Sequence, residues 1–101
     1  MNGKTFDEVV RQQLEKCASL LISKGEEYSL DSDRLLAFKR AAKIQGESPK
    51  QALCGMMAKH TVSIYDMCMS GEKFSDERWE EKITDSINYL LLLRAIVKEE
   101  A

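Results

Sequence analysis

Glu81, Asp85 and Asn88 stand at i, i+4 and i+7 in the stretch Glu81-Lys82-Ile83-Thr84-Asp85-Ser86-Ile87-Asn88. On a helix that spacing puts two carboxylates and an amide in one row. Hard cations such as Mg²⁺ take oxygen ligands, and carboxylates supply charge together with lone pairs. An ion held there can bridge phosphate oxygens and help generate a nucleophilic water. The same spacing also suits a solvated helix face on which Glu81 pairs with a nearby lysine or arginine. Asp85 is the more pointed case, because it borders the run Ser86 to Leu93, most of which is apolar. Buried polar groups must be paired, so either a ligand or ion satisfies Asp85 and Asn88, or another helix does.

Two further groups carry chemistry. Lys59, Ser63 and Asp66 form a polar line beside the chain's single histidine, His60. Lys59 could meet a phosphate and His60 could accept a proton; a hydrogen-bonded packing histidine is the plainer alternative. Lys24, Glu26, Glu27 and Tyr28 precede Asp33 and Arg34. Acids near a helix C-terminus are disfavoured by the macrodipole, which an ion or basic partner would offset, although a solvated loop explains them too. The chain has no G-x-x-x-x-G-K-[ST], G-x-G-x-x-G, H-E-x-x-H, paired Cys/His or G-x-S-x-G pattern. P-loop, Rossmann, zincin, zinc-finger and serine-hydrolase readings therefore have no footing.

The elements that would position these residues are helices. Thr5 and Glu8 have capping-box spacing, and Phe6, Val9, Val10, Leu14, Cys17, Leu20 and Leu21 follow on one face until Ser23-Lys24-Gly25. Asp31 or Ser32 can cap a short second helix that closes at Gly46. Ser48, Pro49 and Gln51 mark the third start, with Leu53, Met56, Met57, His60, Ile64 and Met67 as its stripe and Gly71 beyond its end. Ser75 caps the last helix, with Asp76 and Glu77 in its first turn and Trp79, Ile83, Ile87, Leu90, Leu91 and Val97 as the expected buried side. The expectation is an all-α, four-helix bundle-like single domain over residues 1–101, with three long helices and one short. Apolar residues spread over more than one face of the last helix between Ile87 and Val97, which predicts a homodimer or higher homo-oligomer.

Composition agrees with a globular domain: 44% hydrophobic and 32% charged residues are too apolar for a disordered chain. A net charge of −2 argues against an electrostatic nucleic-acid partner. The longest purely apolar run, Leu90 to Leu93, is far too short to span a bilayer, and with no signal-like N-terminal segment the expected location is cytoplasmic. Cys17, Cys54 and Cys68 are odd in number and lack C-x-x-C spacing, so each reads as a small buried hydrophobe.

Taken in order, Lys24-x-x-Glu27-Tyr28, Asp33-Arg34, Phe38, Lys59-His60 with Ser63 and Asp66, and Trp79-Glu80-Glu81-Lys82-Ile83-x-Asp85-x-Ile87-Asn88-Tyr89-Leu90 resemble small MazG-like proteins of phages and prophages. These belong to, or border on, the all-α nucleotide pyrophosphohydrolase superfamily. The resemblance runs from about Lys24 to Val97 and rests on order and spacing together. It implies Mg²⁺-dependent hydrolysis of nucleoside triphosphates to monophosphates and pyrophosphate, in a bacterial or phage-infected cytoplasm. On that reading Glu27, Glu81 and Asp85 hold the metal and Lys59, Arg34 and Asn88 meet the nucleotide. Lys59 and His60 serve catalysis, and Phe38, Tyr28 or Trp79 would contact the base. The superfamily uses E-E-x-x-E on one helix and E-x-x-D on another; here Glu81 and Asp85 are spaced E-x-x-x-D, and only Glu26-Glu27 answers the first pattern. A thinned acidic set also admits a catalytically inactive nucleotide-binding module, or a phage accessory protein acting through a host protein.

Overall fold

The computed structural model describes residues 1–26 and 32–101, with side chains up to Ser23 and again from Ser32. Four helices follow one another: α1 (Gly3–Glu26), α2 (Leu36–Gln45), α3 (Pro49–Met69) and α4 (Asp76–Glu100). The described residues contain no strand. The expected three long helices and one short one are all present, and none of them is long and apolar enough to cross a membrane.

Local chemistry sets most of the boundaries. Ser48 accepts from the Gln51 backbone N–H while the Gln51 side chain accepts from the Ser48 backbone N–H, a reciprocal capping box ahead of Pro49. Gly46 ends α2 at φ 67°, a left-handed position that glycine takes without steric cost. The Ser75 hydroxyl accepts from the Arg78 N–H to open α4. Two starts differ from the sequence reading. Asn2, not Thr5, caps α1: its carboxamide oxygen accepts from the Thr5 N–H at 2.9 Å. At α2 the N-cap position falls on Leu35 with no side-chain cap, the Asp33 carboxylate accepts from the Leu35 N–H at 2.9 Å, and the expected cap Asp31 lies outside the described residues. In both cases an Asx side-chain oxygen accepts from a backbone N–H at the start of the helix, and the sequence offers more than one such acceptor.

The core is a cluster of Leu35, Phe38, Leu53 and Ile96, with Met56, Met57, Tyr89, Leu92 and Leu93 packed against it. It lies among the entry to α2, α3 and α4; α3 bridges α2 and α4, whereas α1 packs on α4 alone. The radius of gyration is 15.8 Å, against about 13 Å for a compact domain of this length.

Two expectations about burial are corrected, one on α4 and one at the cysteines. The buried row of α4 is Thr84, Asn88 and Ile96; Leu90, Leu91 and Val97 are exposed, and Trp79, Ile83 and Ile87 half-buried. An apolar arc this wide allows two registers, and α1 and α3 together cover the one that carries Thr84 and Asn88. On α1, Cys17 is buried and Leu20 and Leu21 half-buried, yet Phe6, Val9, Val10 and Leu14 are exposed because this part of the helix extends past its partner. Of the cysteines only Cys17 is buried; Cys54 and Cys68 sit on the outer face of α3.

Candidate functional site

α1 packs on α4 and α2 on α3, and the groove where residues of all four helices meet is where the sequence-predicted residues gather. A cavity of about 400 Å³ is lined by Leu20 and Leu21 of α1, Arg34 and Phe38 at and after the entry to α2, His60 of α3, and Asp85, Asn88, Tyr89 and Leu92 of α4. Four predicted site residues, Arg34, His60, Asp85 and Asn88, thus share one concavity with the predicted base contact Phe38. Apolar walls with a few convergent polar groups are the usual make-up of a small-molecule site.

Several contacts fix its walls. The Arg34 guanidinium donates to the Leu21 carbonyl at 3.0 Å, tying α1 to the entry of α2. The His60 and Tyr89 rings meet at 5.0 Å between centroids, tilted by 38°. Asn88 is 7% exposed, and its Oδ1 is buried with no hydrogen-bond partner. Leaving such an acceptor unmet costs about 1–3 kcal/mol, and among the described residues no other helix satisfies the Asn88 Oδ1.

Asp85 also lines a second cleft with Glu77, Glu80, Glu81, Thr84, Lys16 and Leu20, between the start of α4 and the middle of α1. Lys16 and Glu80 lie 3.7 Å apart, the one cation against four carboxylates in that lining. The predicted metal residues Glu81 and Asp85 therefore face a common acidic cleft. Its all-oxygen donors suit a hard cation in kind. Among the described residues no three acidic, histidine or cysteine side chains come within reach of one ion, so Glu81 and Asp85 would need a further donor. The third predicted ligand, Glu27, lies outside the described residues, as do the side chains of Lys24, Glu26 and Tyr28.

Lys59 is not part of this arrangement. It lines a separate cleft with Ser63, Asp66, Ser70, Glu72, Phe74 and Arg78, one position round the helix from His60 and so turned by about 100°. Trp79 packs edge-on against Phe74 at 5.9 Å, away from the Asn88 cavity. Sequence reasoning missed Tyr89, Leu20 and Leu21; Tyr89 follows Asn88 directly and was read only as part of an apolar run.

Beyond the groove, Asp33 and Lys39 form an ion pair at 2.6 Å, which Lys39 extends to Glu99 of α4 at 2.5 Å. The Lys39 hydrogen bond and the Leu35 backbone N–H hold the Asp33 carboxyl below its ordinary value of 3.8. Hydrogen bonds to Asp33 and Glu99 raise Lys39 above 10.5.

The described helices and groove define an all-α protein with a largely apolar cavity, bearing a few convergent polar groups, where its helices meet. No protein-family model, curated protein or solved structure matches the chain.

Proposed function

We propose that this protein is a Mg²⁺-dependent nucleotide pyrophosphohydrolase of MazG-like type, acting as a homo-oligomer on a nucleoside triphosphate. The observation that carries the reading is the double position of Asp85. It lines both the cavity with Arg34, Phe38, His60 and Asn88 and the acidic cleft with Glu81. A pyrophosphohydrolase needs a pocket for the nucleoside and a cation-binding acidic group side by side, and one carboxylate shared between them supplies that adjacency.

In this reading Phe38 and Tyr89 flank the base, Asn88 uses its unmet carbonyl to accept from the nucleotide, and Arg34 balances phosphate charge. Glu81 and Asp85, with Glu27, would hold magnesium, which when bound neutralises phosphate charge and lowers the pKa of a water. Water oxygen forms the new bond to the α-phosphorus, the α–β bridging P–O bond breaks, and pyrophosphate leaves. His60, in the same cavity, accepts the proton that the water gives up.

One observation favours a second reading, a nucleotide-binding module or phage accessory protein without turnover. Lys59 is turned into a different cleft, and the described acids do not assemble a three-ligand group. A fold does not fix its chemistry.

Incubation with a panel of ribo- and deoxynucleoside triphosphates and Mg²⁺, assayed for monophosphate and pyrophosphate, separates the two. Magnesium-dependent product lost in Asp85→Asn is the expected result. Nucleotide affinity with no product from any member of the panel would establish the second reading, and neither affinity nor product would reject both.

A further inference from the structure

Every residue from Met1 to Gln12 is exposed, and the first ties of α1 to α4 come only at Gln13 and Lys16. The helical stretch 3–12, about 15 Å long at 1.5 Å rise per residue, makes no side-chain hydrogen bond or ion pair to another helix among the described residues. Isolated helices shorter than about 12–15 residues are marginal in water. This one nevertheless carries a stripe of large apolar side chains, with Phe6 57%, Val9 50%, Val10 39% and Leu14 54% exposed.

The surface area points to what covers it. The chain exposes 7766 Å², about a third more than the roughly 5,800 Å² that size scaling gives a folded monomer of its mass. A standard interface removes about 800 Å² from each partner, so pairing two copies takes away about two-fifths of the surplus. The stripe is also self-complementary. Phe6, Val10 and Leu14 lie at i, i+4 and i+8, symmetric about Val10, so two such helices crossing antiparallel set Phe6 of each against Leu14 of the other. Ridges spaced by four residues are what interdigitate when helices pack in this way, and a two-fold contact requires one patch to match itself. Lys4, Arg11 and Lys16 balance Asp7, Glu8 and Glu15 within residues 1–16, so two copies of this segment do not repel.

We infer that the Phe6–Val10–Leu14 face of α1 is the seat of a second copy of this chain, joined through a two-fold axis near Val10. This locates the homo-oligomeric part of the proposed function on a particular surface and is independent of turnover.

Light-scattering mass of the purified chain at tens of micromolar is expected to be twice 11.5 kDa. Phe6→Asp/Leu14→Asp is expected to weaken association by at least about 100-fold, since it sets charges at the centre of an apolar contact where binding energy concentrates. Both positions are exposed in the single chain, so the variant keeps its fold, which circular dichroism and thermal unfolding check. In a Cys54→Ser/Cys68→Ser background, Val10→Cys is expected to cross-link to a covalent dimer under mild oxidation. A wild-type monomer over the whole concentration range would overturn both the oligomer and this surface, including the case where the stripe captures vesicles or another protein instead. A dimer that survives the double aspartate variant, or that Val10→Cys fails to cross-link, would overturn the surface alone. The nucleotide assay is scored separately and bears on neither result.

Discussion

Gln13 and Thr84, seventy-one positions apart in the chain, meet through a 2.7 Å hydrogen bond from the Gln13 amide to the Thr84 hydroxyl. Thr84 is 2% exposed, and the same amide also reaches the Cys17 sulfur at 3.5 Å. The bond fixes the rotation of α1 about its axis, and with it the side on which Leu20 and Leu21 face Asn88. Gln13→Leu should destabilise the protein by about 1–3 kcal/mol by leaving the Thr84 hydroxyl buried without this partner. Denaturant titration would show the loss; an unchanged midpoint would mean that α1 is held by its apolar contacts only.

Asn88 sets stability and binding against each other. Asn88→Leu removes a buried acceptor with no partner and is expected to stabilise the fold by about 1–2 kcal/mol. The same change should abolish nucleotide affinity. Thermal unfolding alongside nucleotide titration tests the pair of effects. A variant that loses stability and retains affinity would remove Asn88 from the site.

Asp85 and Glu81 should not be equivalent. Asp85 lines both cavities, whereas Glu81 is exposed and lines only the acidic one. Asp85→Asn is expected to lower the rate of pyrophosphate release by 100-fold or more, in keeping with the several kcal/mol a bound cation supplies to charge stabilisation. Glu81→Gln should be partly rescued by raised Mg²⁺. Equal, unrescued losses in the two variants would argue against the shared-carboxylate arrangement.

The ion pair at the entry to α2 gives a pH dependence of known sign. The depressed pKa of Asp33 contributes stability present above 3.8 and lost as pH falls through the still lower folded value. The raised pKa of Lys39 contributes stability present below 10.5 and lost as pH rises through its higher folded value. Between those limits neither group makes stability vary with pH. Asp33→Asn should therefore flatten the acid limb of a stability–pH profile, where acid unfolding measured by circular dichroism would reveal it. An acid limb identical to wild type would show that the pair carries no linkage.

How much of this was legible beforehand can be traced residue by residue. Ser48-Pro49-x-Gln51, Gly46 and Ser75 act through bonds that close within a few positions, so their roles could be read directly from spacing. The convergence of His60, Asp85 and Asn88 was half legible. Two of the three share a helix face, but bringing α3 alongside α4 is a tertiary fact. The α4 register could not be read at all, because periodicity reports that Leu90 and Val97 align and is silent on which neighbour covers them. Lys59 shows the same limit from the other side: one residue from His60 in sequence, it faces another cleft. Phe6, Val9 and Leu14 were legible as one stripe, but periodicity does not say what covers a stripe, and the described fold leaves all three exposed.

The hydrophobic cluster of Leu35, Phe38, Leu53 and Ile96, with the side chains packed against it, contains no residue of α1, and α1 packs on α4 alone. Order in this protein is therefore arranged in two tiers. Were α1 to lift away, breaking the Gln13–Thr84 and Arg34–Leu21 bonds, the cluster shared by α2, α3 and α4 would keep its packing, so slow amide exchange should be concentrated in those three. Because Leu20, Leu21 and Lys16 go with it, such an opening dismantles both cavities and leaves the core intact. Binding competence would then be a population that a ligand in either cavity raises by holding α1 against α4, without reshaping the rest of the chain.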